Sequence, residues 1–323
     1  MTSSPSNEDG DTAIFEPEDI DRFVAEAHEL HRENSDGEIA DHTEVLAGVD
    51  PDTFGISVAG VDGGVHDAGD SDQPFSIQSV SKVFVYALVC GALGHDVVHE
   101  RVGVNNTGLS FDSVMAVELS DGHPMNPMVN AGALATTGSI QGDSKAEKWS
   151  FIEDGLSRFA GRQLKIDSAT YEADSGAPNR NGAIARLIES YGRLDSDPDE
   201  VVDLFIRQCS LEVTVHDLAV MGATLAGGGV NPITGDQAVE PSVCRDTLAV
   251  MAGSGMYEGS GEWLFQIGMP GKSGVSGGIL TVAPGNCGIA TFSPRLDDAG
   301  NSVRGKQATA FLSEKLRLNI FAS

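Results

Sequence analysis

Ser79 and Lys82 stand three residues apart in the segment Phe75-Ser-Ile-Gln-Ser-Val-Ser-Lys-Val-Phe84, at the start of a long apolar run. The run predicts a helix from Ser76 to Leu93, because serine commonly caps a helix N-terminus and Gly94 follows the last apolar residue. In such a helix a spacing of i, i+3 places the serine hydroxyl and the lysine amine on one face, within reach of each other.

A serine next to a lysine can support nucleophilic catalysis, provided that the lysine is neutral. Serine is a weak nucleophile until an adjacent group takes its proton, and lysine does so only when its pKa is lowered, for example by burial. The flanking residues Val80, Val83 and Phe84 are apolar and favour burial. A capped helix whose lysine points into water accounts for the same pattern, so the S-x-x-K spacing alone does not decide between the two interpretations.

A second element, Lys272-Ser273-Gly274, lies roughly 190 residues further along and precedes a strand-like segment. It matches the K-[ST]-G element that accompanies S-x-x-K in serine acylases. A small residue followed by glycine allows a strand to approach a serine closely. We therefore expect backbone N–H groups around Val275 to help bind an oxyanion, and the two elements together favour an enzyme.

Strand-like and helix-like segments are segregated along the chain. Strands are expected at 56–60 near one end and at 274–282 and 287–292 near the other. Besides Ser76 to Leu93, helices are expected at 17–30, 147–162, 182–192, 198–209, 214–227, 247–256 and 305–319. This order predicts an α+β fold whose antiparallel sheet joins both chain ends, with an inserted helical subdomain. Residues 17–323 are expected to form one domain, and the acidic residues 1–16 to be disordered.

The composition narrows the possible partners. The 323 residues carry 48 acidic and 20 basic side chains, for a formal charge of −28. A negative field of this size repels nucleic acid and anionic lipid, and no apolar run is long enough to span a membrane, so neither partner is expected. Because molar salt reduces the Debye length to about 3 Å and screens this self-repulsion, we hypothesise a salt-loving source.

The cysteines and the N-terminus indicate the compartment. Four cysteines are far apart and form no C-x-x-C pair: Cys90, Cys209, Cys244 and Cys287. Each stands among apolar or small residues, which predicts buried thiols in a reducing compartment. The first 17 residues lack the basic start and apolar core of a secretory signal, so a cytoplasmic location is expected.

Residues 20–317 resemble the serine-dependent glutaminases of the β-lactamase/transpeptidase-like superfamily. The motifs that carry the likeness are the segment 75–84, Asn126-Pro-Met-Val-Asn-Ala-Gly-Ala133, Arg180-Asn-Gly-Ala-Ile-Ala185, Gln208-Cys-Ser210, Asp217-Leu-Ala-Val-Met-Gly-Ala-Thr-Leu-Ala226, Asn231-Pro232, Gly255-Met-Tyr257 and Lys272-Ser-Gly-Val-Ser-Gly-Gly-Ile279. The resemblance implies hydrolysis of the side-chain amide of L-glutamine to L-glutamate and ammonia, without a metal or an organic cofactor.

The resemblance also implies the catalytic roles. Ser79 would attack the amide carbon and form a γ-glutamyl ester, while Lys82 takes the Ser79 proton. Tyr257 would relay protons to the leaving ammonia. The backbone N–H groups of Ser79 and Val275 would form the oxyanion hole.

The implied substrate-binding residues include departures from the family pattern. Asn130 and Asn181 would hold the α-carboxylate and amino groups of glutamine, and Asp174 would pair with its ammonium. The family usually has glutamate at the position of Asp174 and a binding tyrosine at that of Phe205. Phe205 keeps the ring but loses the hydroxyl, and an N-terminal tyrosine of the family is replaced near His42.

The leading hypothesis is therefore a glutaminase that uses a Ser/Lys pair on free L-glutamine. Two alternatives stay open: a serine acylase that acts on a β-lactam or another amide, and a protein that binds glutamine with weak or no turnover. The substitutions at Asp174 and Phe205 keep the binding protein in consideration. The family forms homodimers and homotetramers, so the resemblance also implies an oligomer.

Overall fold

The computed structural model describes residues 16–176 and 180–322, so the predicted disordered segment 1–16 lies outside the described residues except for Glu16. The helices are α1 Pro17–His31, α2 Glu44–Ala47, α3 Ser81–Leu93, α4 His95–His99, α5 Val114–Glu118, α6 Asn130–Gly138, α7 Lys145–Ala160, α8 Ser168–Gly176, α9 Arg180–Ser190, α10 Pro198–Cys209, α11 Val215–Ala226, α12 Pro241–Ser254, α13 Ser260–Gln266 and α14 Val303–Lys315. The strands are β1 Glu38–Ile39, β2 Gly55–Gly60, β3 Val65–Gly69, β4 Phe75–Ser76, β5 Lys165–Ile166, β6 Leu211–Val213, β7 Gly271–Ser273, β8 Gly278–Ala283, β9 Cys287–Phe292 and β10 Arg295–Leu296.

The main sheet joins the two ends of the chain. Its five strands are antiparallel and lie in the order β3-β2-β9-β8-β7, so the N-terminal hairpin pairs with the C-terminal strands. Ile56 on β2, for example, lies opposite Thr291 on β9. The predicted α+β fold with an antiparallel sheet built from both ends is confirmed. Strand β7, which carries Lys272, forms one edge.

Helices cover both faces of this sheet. Successive residues Ile289 and Ala290 belong to separate apolar clusters: Ile289 packs with side chains of α1 and α14, and Ala290 with those of α11. Because side chains alternate between the faces of a strand, covering both faces leaves every residue of β9 buried. Helix α11 approaches closely at Gly288, where an added Cβ would lie 2.3 Å from the Ala219 carbonyl oxygen.

Helix α3 runs through the centre of the helical region, and every residue from Ser81 to Cys90 is buried. A helix that is apolar all round is expected to be enclosed, and α3 packs against α6, α7 and α12. Gly94, with φ of 85°, ends it as predicted. The residues immediately before α3 are therefore held between the helical region and the sheet.

The predicted start of this helix at Ser76 is wrong. Phe75 and Ser76 form a short strand that pairs with β6, and the Phe75 ring stacks on Phe292 with centroids 4.1 Å apart. Ser79 then lies on a 3-10 turn, Gln78–Val80, and the α-helix begins only at Ser81. Strand pairing and the ring stack override the capping tendency of serine, and the Ser76 hydroxyl instead accepts a hydrogen bond from Gln78.

Other differences from the prediction include two boundaries and one helix. Helix α12 begins at Pro241 rather than at Thr247, because proline suits the first turn of a helix. The predicted strand 274–282 is interrupted by a turn at 274–277, where Gly277 has φ of 103°. Helix α8 was not predicted, since its sequence is short and lacks a helical apolar period.

All four cysteines are buried and free, which confirms the predicted buried thiols. In the portions of the chain that the structure describes, no helix combines the length and hydropathy needed to cross a bilayer.

Candidate active site

Ser79 lies where the helical region meets the edge of the sheet. Its 3-10 turn contacts β7 on one side and α10 on the other, and the Ser79 residue is 8% exposed. The fold therefore brings the S-x-x-K and Lys-Ser-Gly elements together, although they are far apart in sequence. The sequence predicted this proximity, because the small residues after Lys272 allow a strand to approach the serine closely.

Lys82 is enclosed in a largely apolar chamber. Its amine donates hydrogen bonds to the Asn130 side-chain oxygen at 2.6 Å and to the Met128 carbonyl at 3.4 Å. Three aromatic rings surround it, with centroids 5.7–5.9 Å from Nζ: Phe111, Phe205 and Tyr257. The side chain that the sequence predicted to be dehydrated is 1% exposed.

This burial changes the acid–base behaviour of Lys82. Removal from water lowers the pKa of its ammonium from 10.5 to about 8, and electrostatic interactions with Cys209 and Asp112 oppose the shift only in part. At pH 7 the Lys82 amine is then neutral in about a tenth of the molecules. An exposed lysine is neutral in fewer than a thousandth of them. Lys82 is thus suited to accept a proton from a neighbouring hydroxyl.

A second buried lysine lies on the other side of Tyr257. The Lys272 amine donates a 2.8 Å hydrogen bond to the Tyr257 hydroxyl and lies 4.0 Å from the ring centroid. Burial, and then the charge of Lys82, hold the pKa of Lys272 well below its ordinary value. Burial also raises the pKa of Tyr257, against a hydrogen bond with Ser79, so the phenol stays neutral and links Ser79 to Lys272.

The contact of the Lys272 side chain with Tyr257 is a feature of the candidate site that sequence reasoning missed. The Lys-Ser-Gly motif was recognised, but only its backbone was given a role. The contact with Tyr257 joins residues 15 apart on different elements, and only the folded chain reveals it.

Two non-glycine residues in the left-handed region flank the reactive groups. Gln78 has φ of 47° and Tyr257 has φ of 55°. Such conformations cost on the order of 1–3 kcal/mol and persist only when neighbouring contacts enforce them. The Gln78 carbonyl accepts a bond from the Ser81 hydroxyl, and the Tyr257 carbonyl accepts bonds from Asn106 and Ser260. These contacts fix the directions of the Ser79 and Tyr257 side chains.

Gly274 allows the end of β7 to reach the Ser79 turn. A Cβ at this position would lie 3.2 Å from the Ile77 carbonyl and 3.3 Å from the Gln78 Cβ, so a larger residue would push the segments apart. The next residue, Val275, begins a tight turn closed by a 2.8 Å bond from the Gly274 N–H to the Gly278 carbonyl. The geometry is consistent with the predicted approach of a strand end to the serine.

The residues predicted to hold the amino-acid end of the substrate fall into two hydrogen-bonded groups. Asn130 begins α6 and donates a 3.0 Å bond to Asn181 on α9, while its oxygen accepts from Lys82. Asp174 lies within α8 and accepts a 3.3 Å bond from Gln78. Burial raises the pKa of the Asp174 carboxyl, while Gln78 and the charge of His42 oppose the change.

Phe205 lies inside this site rather than in a remote part of the core. It is buried on α10, and its ring centroid is 5.7 Å from the Lys82 amine. The hydroxyl that Phe205 lacks is therefore missing from the immediate surroundings of Lys82, the proposed base. Across residues 16–176 and 180–322, no three His, Cys, Asp or Glu side chains are grouped in a way that could hold a metal ion.

A family model described as Glutaminase matches residues 37–321 of this chain. The chain belongs to the glutaminase family. Members of the glutaminase family are amidohydrolases that convert glutamine to glutamate and ammonia. A curated relative, Glutaminase 2 of Yersinia pestis, is 48% identical over 308 residues, which cover 95% of this chain and 91% of the relative.

Solved structures of glutaminases have the same fold. A probable glutaminase, ybaS, superposes with a TM-score of 0.94 at 39% identity, over 96% of this chain and all of the other. Mglu in its L-glutamate binding form, in the presence of 4.3 M NaCl, superposes with a TM-score of 0.89 at 42% identity, over 96% of this chain and 69% of the other. The chain therefore has the β-lactamase-like fold of this family.

Proposed function

We propose that this protein hydrolyses free L-glutamine through an acyl-enzyme on Ser79, with Lys82 as the base. The observation that carries the mechanism is the enclosed Lys82 amine, whose pKa is lowered to about 8 and which lies one helical turn from Ser79. A hydroxyl nucleophile, a dehydrated base and a strand end suited to an oxyanion occur together at one place.

In the first half-reaction the Ser79 oxygen attacks the side-chain carbonyl carbon of glutamine while Lys82 takes the hydroxyl proton. The backbone N–H groups of Ser79 and Val275 stabilise the negative charge that develops on the carbonyl oxygen. The carbon–nitrogen bond then breaks, and Tyr257 donates a proton to the departing ammonia. The proton that Lys82 took from Ser79 passes by way of Lys272, which is hydrogen-bonded to Tyr257, back to the phenol, so that both amines are again neutral. Water hydrolyses the γ-glutamyl ester in the second half-reaction, with Lys82 again as base.

The amino-acid end of glutamine is assigned to the polar group beside this chamber. Asp174 supplies a carboxylate for the substrate ammonium, and Asn130 and Asn181 supply amides for the remaining α-substituents. A bound ammonium would lower the pKa of Asp174 and favour the carboxylate over the protonated form that burial promotes.

The test is ammonia release from L-glutamine, measured at low and at molar KCl together with calorimetric binding of glutamine. Release supports the proposal. Binding without release would favour the binding protein, and hydrolysis of a β-lactam or another amide in place of glutamine would favour a different serine acylase.

Phe205→Tyr is expected to raise kcat/KM for glutamine, by up to about tenfold, because one additional hydrogen bond to the substrate or the proton relay is worth about 1 kcal/mol. The measurement is steady-state ammonia release by the variant and the parent. Phe159→Tyr, which adds the same hydroxyl to another buried ring outside the site, is the control for a general effect on packing. An unchanged or lower kcat/KM in Phe205→Tyr would show that the site works without this hydroxyl.

We further propose that the protein is cytoplasmic, adapted to high salt and oligomeric as a homodimer or homotetramer. Four buried free thiols support a reducing compartment, and the charge of −28 supports the adaptation to salt. The oligomer rests on family resemblance, and light scattering at molar KCl tests it.

The thermal midpoint of unfolding is expected to rise between about 0.1 M and 1 M KCl, because the Debye length falls from about 10 Å to about 3 Å and screens acidic self-repulsion. A melt followed by circular dichroism measures it. The salt in this melt is a chloride and not a sulfate, because sulfate stabilises most proteins by exclusion from their surfaces. A midpoint that is highest at or below 0.1 M KCl would contradict the proposed adaptation.

A further inference from the structure

The segment 126–129 forms a buried turn directly before α6, and no step of the proposed reaction uses its first residue, Asn126. Asn126 is 1% exposed, and its side-chain oxygen accepts backbone hydrogen bonds from Met128 at 3.0 Å and from Val129 at 3.2 Å. Its amide nitrogen donates a 2.9 Å bond to the Asn105 carbonyl. Both ends of the amide are therefore engaged with backbone, which is typical of an asparagine that starts a turn.

This turn carries an acceptor for the Lys82 amine. The Met128 carbonyl accepts from Lys82 at 3.4 Å, and Asn130, the first residue of α6, accepts at 2.6 Å. The first turn of α6 packs against the segment, because a Cβ at Gly132 would lie 1.8 Å from the Asn126 carbonyl oxygen. Both acceptors thus depend on where Asn126 holds the chain. The Met128 contact is long for a hydrogen bond, so even a small displacement of the turn would break it.

The two acceptors determine how the neutral Lys82 amine is oriented. A neutral amine has two N–H groups and one lone pair, whereas the ammonium has three N–H groups. Hydrogen bonds to Met128 and Asn130 occupy the two N–H groups, so the lone pair takes the remaining tetrahedral position. In the proposed reaction this lone pair receives the proton of Ser79. Movement of either acceptor would allow the amine to rotate away from that direction.

We propose that Asn126 is a positioning residue for the base. By holding the Met128 carbonyl and the start of α6, it fixes the two acceptors of the Lys82 amine and directs the lone pair toward Ser79. The proposal rests on the glutaminase reaction proposed above, and it assigns Asn126 no direct contact with the substrate.

Asn231 provides a matched control, because it forms the same kind of turn beside the end of α7, outside the site. It is fully buried, and its side-chain oxygen accepts backbone bonds from Ile233 at 2.9 Å and Thr234 at 3.0 Å. Its amide nitrogen donates to two carbonyls of α7, and a proline follows it, as one follows Asn126. Replacement of either asparagine by alanine removes the same kind of bonds, so a general cost in stability is common to both variants.

The first measurement compares ammonia release by Asn126→Ala and Asn231→Ala between pH 6 and pH 10. We expect Asn126→Ala to lose about 10- to 100-fold in kcat at its plateau, the cost typical of a misplaced catalytic group. The acid limb of kcat/KM should move to lower pH by about half a pH unit or more, because loss of an acceptor disfavours the ammonium. Asn231→Ala should keep the position of the limb and a kcat within about threefold of the parent.

The second measurement follows the protonation of Lys82 without turnover. The chain has seven lysines, so labelling lysine with ¹³C at the ε carbon gives few signals, and Lys82→Met identifies that of Lys82. The midpoint of its titration should fall in Asn126→Ala and stay at the parent value in Asn231→Ala. The titratable groups that face the amine are the same in both variants: Asp112, Cys209, Tyr257 and Lys272.

An unchanged midpoint in Asn126→Ala, or a kcat no lower than that of Asn231→Ala, would overturn the proposal. A midpoint that moves to higher pH would also overturn it, because Asn126 would then act by excluding water. Asn126→Ser keeps a weaker acceptor in the turn and should lie between the parent and Asn126→Ala. If Asn126→Ala does not fold, Asn126→Ser against Asn231→Ser carries the comparison. A parent that released no ammonia would refute the glutaminase reaction, while the titration would still decide the role of Asn126.

Discussion

Ser79→Ala is expected to lower kcat for ammonia release by at least about 10⁴-fold, because the variant lacks the oxygen that forms the ester. Glutamine should still bind with an affinity close to that of the parent, since the proposed contacts to its α-substituents remain. Steady-state ammonia release and calorimetry on the same preparation measure the two quantities. Rapid mixing with the parent should also show a γ-glutamyl ester by intact-protein mass, and Ser79→Ala should not.

Ser81→Ala is the matched control. Ser81 is also buried and lies two residues away, but its hydroxyl bonds to the Gln78 carbonyl rather than to Tyr257. A loss of no more than about tenfold is expected, which reflects the cost of one hydrogen bond that supports the Ser79 turn. Release of ammonia by Ser79→Ala at a rate near that of the parent would exclude the proposed mechanism.

Lys82→Met is expected to reduce kcat by about 10³-fold, the contribution typical of a positioned general base. For the parent, kcat/KM should rise about tenfold per pH unit on the acid side and level off above an apparent pKa near 8, because only the neutral amine accepts the Ser79 proton. Lys165→Met, which alters an exposed lysine, should leave both quantities unchanged. A flat profile between pH 6 and 9 would argue against Lys82 as the base.

The same substitution has a consequence for stability. The pKa of Lys82 is about 8 in the folded chain against 10.5 in the unfolded one, so the unfolded state holds more protons between these values. Burial of Lys82 therefore lowers the free energy of unfolding. This loss is absent above pH 10.5, grows as the pH falls and reaches about 3 kcal/mol below pH 8. Lys82→Met should therefore lose this component of the pH dependence of the free energy of unfolding, measured by denaturation at pH 7 and pH 10.

Local patterns predicted much of the fold and of the site. The apolar run after Ser79 identified the central helix, and the apolar strands near both ends identified the sheet. The enclosure of Lys82 followed from its apolar neighbours, and the approach of Gly274 followed from the small residues after Lys272. These features depend mainly on periodicity and residue size, which a sequence displays directly.

The features that escaped prediction depend on tertiary contacts. Ser76 has the chemistry of a helix cap, but strand pairing at Phe75 assigns it elsewhere. Helix α8, which carries Asp174, was not predicted because its sequence is short and polar, and packing against α2 and α10 holds it in place. The contact between Lys272 and Tyr257 has no local signature, because it joins a sheet edge to a 3-10 turn.

The two enclosed amines on either side of Tyr257 also determine how many protons the resting enzyme carries. Burial and then the charge of Lys82 lower the pKa of Lys272, so the pair favours at most one positive charge. The pH dependence of kcat/KM will therefore report an apparent pKa of the two lysines together. In the proposed mechanism the proton for the departing nitrogen originates on Ser79 and travels through these two amines, so no donor from bulk water is required for this step.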